Sequence, residues 1–284
     1  MNIIGLGQAG CAIAEKFKQY PQYNVFKIDV GLKGKQCFDM PLQPHPEQYE
    51  ENCPILKLRA FLKGIKGDVL FIGSCGSISG SNLRILEQLS KGKKCKISVL
   101  YIKPERDLLS EQQLLQENLI FGVWQEYARS GVFEDIYLVS NSEVSTVIGD
   151  VPVREYYERI NQTIASAFHL VSVFKHSEPI MHTFSNSIES TRLLTLGVVD
   201  IDTGNESLFF PLEMVRDKKY YYAIPEKILD EDTKLLKNIK AQVKEKNIPE
   251  QAKATYGIFS TKYEQSFAFC VARASMIQKN EKTA

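Results

Sequence analysis

The chain has almost no net charge: its 284 residues carry 35 lysines and arginines against 34 acidic residues. That balance removes the electrostatic case for a nucleic-acid partner or an anionic membrane. It has no apolar run of membrane-spanning length, and its N-terminus enters strand-like sequence at once where a signal peptide would stand. The six cysteines, Cys11, Cys37, Cys53, Cys75, Cys95 and Cys270, make no CxxC and do not pair closely with the four histidines. This argues against structural zinc and for a reduced, cytoplasmic compartment. His169, His176 and His182 form neither HxxxH nor HExxH, so no metal site is expected and structural or surface roles are. A GKS or GKT triplet is missing, which excludes a Walker loop, and no internal repeat or low-complexity tract is present.

What remains is a globular chain with 44% hydrophobic residues, enough for one large core or two modest ones. Strand-like runs at Asn2–Leu6, Asn24–Asp29, Asp68–Ile72, Lys96–Tyr101 and Asp135–Val139 alternate with helical patterns at Gly10–Tyr20, Ser81–Lys91, Glu111–Arg129 and Glu155–His176. That order predicts an α/β fold with a doubly wound, mainly parallel sheet. Gly31–Cys53 is aperiodic and bears proline and glutamine, so it reads as a long surface excursion. The Glu155–His176 pattern repeats Tyr157, Ile160, Ile164, Phe168, Val171 and Phe174 at steps of three and four. Such a helix runs roughly 33 Å, the depth of a domain.

After Pro179 the pattern changes. Strands are expected at Arg192–Asp202 and Ser207–Val215, joined by the turn Asp202-Thr203-Gly204-Asn205. Tyr220–Ile224, a charged helix around Asp230–Lys246, Ala254–Ser260 and Ser266–Ala274 follow. The division is therefore a nucleotide-binding domain over 1–178, including the long helix, and a smaller α+β domain over 179–284.

Two glycine-rich segments stand where strands hand over to helices. Gly5-x-Gly7-x-x-Gly10, with Asp29 closing the second strand, matches the dinucleotide fingerprint, in which the acid binds a ribose hydroxyl. Gly73-Ser74-Cys75-Gly76-Ser77-Ile78-Ser79-Gly80 offers hydroxyls and backbone donors as a nest for phosphate oxygens. Side chains at Gly10 or Gly80 are expected to fill phosphate space or strain the turn while leaving the fold intact. The plain alternative for each loop is a small-residue turn that permits close helix–strand packing.

At these residues the chain resembles the tubulin/FtsZ family of GTPases. Gly7-Gln8-Ala9-Gly10-Cys11-x-Ile13 is similar to the tubulin form of the family's first phosphate loop, and Gly76-Ser77-Ile78-Ser79-Gly80 stands where the family carries GGGTGSG. Ser74, Cys75 and Ile78 replace glycines there. The resemblance implies GTP or GDP as ligand, with Mg2+ an optional companion. It places Tyr157 and Asn161 of the long helix at the guanine, and Ser140 and Asn141 at the sugar. It also implies self-association head to tail. In the family, acids on the loop after the long helix enter the next subunit's site; here Met181–Ser190 holds only Glu189, the candidate catalytic residue, so hydrolysis is expected to be weak or absent. The brevity of the chain suits a minimal prokaryotic, plasmid or phage form in a cytoplasm, that of the host if viral. Two other readings stay open: an NAD-dependent Rossmann oxidoreductase and a nucleotide-binding scaffold that does not polymerise.

Overall fold

The computed structural model describes residues 1–91, 95–248 and 251–279. In chain order the elements are β1 (Asn2–Leu6), α1 (Gly7–Lys16), β2 (Asn24–Asp29), β3 (Cys37–Asp39), α2 (Pro46–Glu51), α3 (Ile55–Leu62), β4 (Gly67–Gly73), α4 (Asn82–Ser90), β5 (Cys95–Lys103), α5 (Glu111–Arg129) and β6 (Asp135–Ser140). They continue as α6 (Asn141–Ile148), α7 (Tyr156–Lys175), β7 (Met181–His182), β8 (Leu193–Val199), β9 (Glu206–Leu208), β10 (Val215–Pro225), α8 (Glu226–Glu231), α9 (Leu235–Lys246), β11 (Lys253–Thr261) and β12 (Phe267–Ala274).

Among the described residues all strands join one sheet, ordered β3-β2-β1-β4-β5-β6-β8-β12-β10-β11-β7, with β9 on β8. From β3 to β6 every pairing is parallel. Both faces of this half are covered, which is why β4, β5 and β6 read as near-continuous apolar runs. α1 and α7 pack on one face around Phe17, Ile72, Ile164 and Phe168, whereas α3, α4 and α5 pack on the other around Phe71, Leu86 and Trp124. β8 joins β6 in parallel at Ile136↔Leu193 and Tyr137↔Leu194, then pairs antiparallel with β12. Further along, alternation places Tyr220, Tyr222 and Ile224 of β10 in a third cluster with α9, and turns Tyr221 and Ala223 toward α7.

Several expected elements differ. The 31–53 excursion contains the parallel strand β3 and the helix α2, and it buries Met40 and Tyr49. Ser207–Val215 is not one strand: β9 ends at Leu208, Pro211 interrupts the run, and Met214 takes φ 51 before β10 begins. The charged stretch expected around Asp230–Lys246 is two helices, α8 and α9, parted at Asp232, whose Oδ1 accepts the N–H groups of Lys234 and Leu235 at 2.8 and 3.1 Å. Like α2, the helices α3 and α6 stand where the sequence pattern predicts no element. Tyr157 leaves the buried stripe of α7 and stands 57% exposed. α5 begins with a reciprocal cap between Ser110 and Gln113 and extends over 111–129 as expected. Among the described residues no helix is long and apolar enough to cross a membrane.

Candidate functional site: two glycine loops at adjacent strand ends

β1 and β4 are sheet neighbours, so the loops that leave their C-terminal ends open side by side. The first turns directly into α1: Gly7 adopts φ 69 and the N–H groups of Gly7–Gly10 open the helix. Its other glycines serve packing. A Cβ on Gly5 would stand 2.4 Å from the Gly10 carbonyl oxygen, and one on Gly10 would stand 2.4 Å from that of Ile72. Gly10 therefore lets α1 press on β4 and faces away from phosphate space.

The second loop leaves Gly73, whose Cβ position lies 3.0 Å from the Trp124 ring. Ser74 Oγ donates to the Ile102 carbonyl at 2.7 Å, and Ser79 N–H donates to the Gly76 carbonyl at 2.8 Å within a 3₁₀ turn over Ser77–Ser81. Behind it, Gln116 of α5 donates from Nε2 to Ser79 Oγ at 3.1 Å and to the Gly76 carbonyl at 3.2 Å. Gly80 is pinned from outside, its Cβ position 2.0 Å from the Pro46 carbonyl oxygen. Neither Gly10 nor Gly80 has a positive φ. The expectation that side chains there enter phosphate space or strain φ is thus corrected: both positions are closed by backbone.

Between the loops lies a pocket of about 350 Å³, lined by Gly7, Gln8, Ala9, Asp29, Ser74, Gly76, Ser77, Ile78 and Ser79, together with Leu6, Val30 and Tyr49. The last three were not read from the sequence; Tyr49 arrives on α2, whose signal was Pro46 at the first helical position. Gly76 opens on the pocket with no atom within 4 Å of its Cβ position. Ile78, where the family has glycine, is 8% exposed and its Cγ2 lies 2.8 Å from a Cβ placed on Gly7, so it fills the seam between the loops. Asp29 accepts the Val30 N–H at 2.9 Å. Among the described residues it is the one charged group lining the pocket, which has helix-start N–H groups and three serine hydroxyls but no lysine or arginine. This donor set, with open space at Gly76, fits an anion held by backbone and dipole.

The other sequence candidates fall elsewhere. Cys11 donates to the carbonyls of Gly5 (3.3 Å) and Ile28 (3.6 Å), and burial pushes its pKa up to about 12. Burial likewise raises Cys75 to about 11. Both thiols are protonated and inert near neutrality. Cys11, Gly73 and Cys75 support the loops from below without lining the pocket. Ser140 ends β6 and Asn141 opens α6, with Ser140 Oγ 2.7 Å from Ser142 Oγ, so the two residues form a strand-to-helix junction. Tyr157 and Asn161 sit in the first two turns of α7, which an ion pair between Lys16 and Glu158 ties to α1. These four lie outside the 350 Å³ pocket.

Glu189 occupies an exposed turn four residues before β8 begins. The adjoining strand start pairs with Ile136 at the N-terminal edge of β6, so Glu189 lies at the opposite end of the sheet from the pocket. Glu178, also exposed, follows the C-terminus of α7. A larger cavity of about 580 Å³ opens at that far end; it mixes Asp68, Asp135, Lys96 and Lys175 and contains neither glycine loop. Among the described residues no three His, Cys, Asp or Glu side chains gather as a metal site.

No family model matches the chain, and no curated protein matches it in sequence. Solved structures do match in shape. The GDP-form protofilament of TubZ from Bacillus thuringiensis serovar israelensis superposes with TM-score 0.72 at 16% identity, over 98% of this chain and 88% of that one. CetZ1 from Haloferax volcanii, a GDP-bound monomer, gives 0.69 at 15%, over 97% and 94%. FtsZ of M. jannaschii, as its W319Y mutant, gives 0.64 at 12%, over 96% and 90%. With the two glycine loops at neighbouring strand ends and the long helix α7 beside them, likeness over nearly the whole chain establishes that the protein has the tubulin/FtsZ-like fold.

Proposed function

We propose that this chain binds GTP or GDP between its two glycine loops and associates head to tail into a protofilament, with slow or no hydrolysis. The observation that carries the reading is the convergence of both loops on one pocket whose donors are backbone N–H groups and serine hydroxyls. Gly7–Ala9 and Ser74–Ser79 would hold the phosphates; Asn161 and Tyr157 would read the base, and Ser140 and Asn141 would face the sugar. Because no lysine or arginine among the described residues lines the pocket, a divalent cation such as Mg2+ would supply the missing positive charge, with Asp29 the acidic group at hand. The matched TubZ and CetZ1 structures are described as GDP-form or GDP-bound, and the TubZ structure as a protofilament.

Assembly has independent support in the distribution of exposed apolar side chains. Exposed Leu108 follows the C-terminal end of β5 and exposed Val153 and Tyr157 stand at the start of α7, on the pocket side, while exposed Ile188, Met214 and Ile248 precede β8, β10 and β11 and exposed Met276 follows the antiparallel β12, on the far side. Different exposed apolar side chains at the two ends of the strands suit a heterologous contact that does not close. That contact would bring Glu178 and Glu189 of one subunit toward the pocket of the next. The reading takes 1–178 as the nucleotide-binding part and 179–284 as the part that completes the far end, in a cytoplasmic setting.

Asp29 and the glycine spacing also suit a dinucleotide, so the same titration decides between readings. Calorimetry with GTP, GDP, ATP and NAD should give binding for the guanine nucleotides in preference to the other two. Tight NAD binding without guanine-nucleotide binding overturns the proposal in favour of an oxidoreductase.

A further inference from the structure

We propose that the trough behind the second glycine loop docks a basic amphipathic helix of a partner protein, and that what the nucleotide pocket holds tunes this docking. α2, the start of α4 and α5 enclose an open space of about 470 Å³. Leu115 and Leu119, one turn apart on α5, stand 71% and 67% exposed along one wall, with Val123 continuing the row and Leu83 opposite. A row of leucines at i, i+4 facing a second helical wall is the shape that receives the apolar face of a helix.

Charge selects the occupant. Among the described residues the charged ones lining the trough are Glu47 and Glu50, with no lysine or arginine in the lining. Glu50 meets Arg84 at 3.5 Å, but both side chains are about half exposed, so the contact is screened and exchangeable. An acidic rim repels nucleic acid and anionic lipid, and attracts lysines flanking an apolar stripe.

The floor supplies the coupling. Ser79 lines the trough on one side and the nucleotide pocket on the other. Gln116, also in the trough wall, holds the loop through Ser79 and Gly76, and α2 abuts Gly80. Occupants of the two spaces therefore share one loop, and each biases the other reciprocally. This coupling rests on the nucleotide reading above; the docking surface does not.

Fluorescence anisotropy with a labelled helical peptide of leucine and lysine, leucines at i, i+4, tests the proposal on the full chain with GTP, with GDP and without nucleotide. Saturable binding is expected, weakened at least about tenfold by the double substitution Leu115→Glu and Leu119→Glu. It should be unchanged by Leu56→Glu, which alters a comparably exposed leucine on α3, and lost when glutamate replaces lysine in the peptide. Nucleotide should shift the peptide Kd by at least about threefold, and Gln116→Ala should remove that shift while peptide still binds. Equal affinity for the double variant, or for the glutamate peptide, overturns the docking site. So does a double variant that keeps the peptide yet loses self-association, since the occupant is then a second copy. A peptide Kd indifferent to nucleotide, while calorimetry records nucleotide binding, overturns the coupling. No nucleotide binding at all sinks the function proposed above and the coupling with it, and leaves the docking site to the peptide result.

Discussion

A Cβ on Gly10 would stand 2.4 Å from the carbonyl oxygen of Ile72, so α1 touches β4 where only a hydrogen fits. Gly10→Ala must separate helix from strand, and overpacking of this kind costs about 1–3 kcal/mol, more where backbone must move. Urea denaturation should show a midpoint lowered accordingly. An unchanged midpoint would mean that the helix yields freely and that Gly10 serves the ligand alone.

Gly76 is the opposite case. It lines the pocket, its φ of −58° suits any residue, and its Cβ position is open. Gly76→Val should leave Tm within about 2 °C, because removing a glycine also narrows the unfolded ensemble. Guanine-nucleotide affinity should fall more than about tenfold in calorimetry, by loss of the space and donors a phosphate needs. Normal affinity in this variant would remove the second loop from the cradle.

The contrast between these glycines marks how far the sequence could be read. Glycine spacing after an apolar run locates both loops, since the strand-to-helix turn and the close packing leave a local trace. Which glycine faces ligand and which faces backbone has no local trace; it depends on β1 and β4 being neighbours and on α2 folding back over Gly80. Tyr49 and Val30 reach the pocket for the same tertiary reason. The missed break before β10 did leave signals, Pro211 and the acidic residue beside Met214, but an apolar run of Phe209, Phe210 and Leu212 masks them as strand. Those side chains are buried because the segment wedges against β6 and β8, with Ser140 N–H on the Phe209 carbonyl and Phe209 N–H on that of Leu196.

His169 makes stability depend on pH. Its Nδ1 faces Tyr23 Oη at 3.1 Å and Gln22 Nε2 at 3.3 Å, and its ring stacks on Tyr20 at 3.6 Å between centroids. With Gln22 as a donor, Nδ1 is assigned as acceptor and the neutral ring is favoured. Burial pushes the pKa below its ordinary 6.5. The unfolded chain therefore takes up the proton first, so stability is intact above pH 6.5 and falls as pH drops toward the folded-state value. Urea midpoints at about pH 7.5 and about pH 5.5 should differ more for the wild type than for His169→Gln. An equal pH difference in both removes His169 from the account.

Turnover should be slow because the segment between α7 and β8 carries only Glu178 and Glu189 as acids to activate water, an effect typically worth about 10²–10⁴-fold. Glu189 lies on its turn and Glu178 follows α7, and both are exposed. If either acts across a subunit junction, Glu189→Ala or Glu178→Ala should lower phosphate release only under assembling conditions, leaving nucleotide affinity unchanged. Release that persists in the double variant, or that is independent of protein concentration, rules out an acid supplied by the neighbour.

Head-to-tail association makes a prediction that no symmetric dimer shares. Val153, 92% exposed, stands at the pocket end, just before α7; Met276, 41% exposed, stands at the far end, two residues beyond β12. Val153→Asp and Met276→Asp should each stop the growth of long polymer with GTP, because every junction in a single-component filament needs both surfaces. Mixed, the two variants retain one intact surface of each kind, so analytical ultracentrifugation should show a one-to-one heterodimer and nothing longer. A contact of the pocket end with its own copy would be broken by Val153→Asp and untouched by Met276→Asp, and the mixture would then recover nothing. A wild-type chain that stays monomeric with GTP at high concentration would instead leave a nucleotide-binding scaffold, whose two apolar ends need different partners.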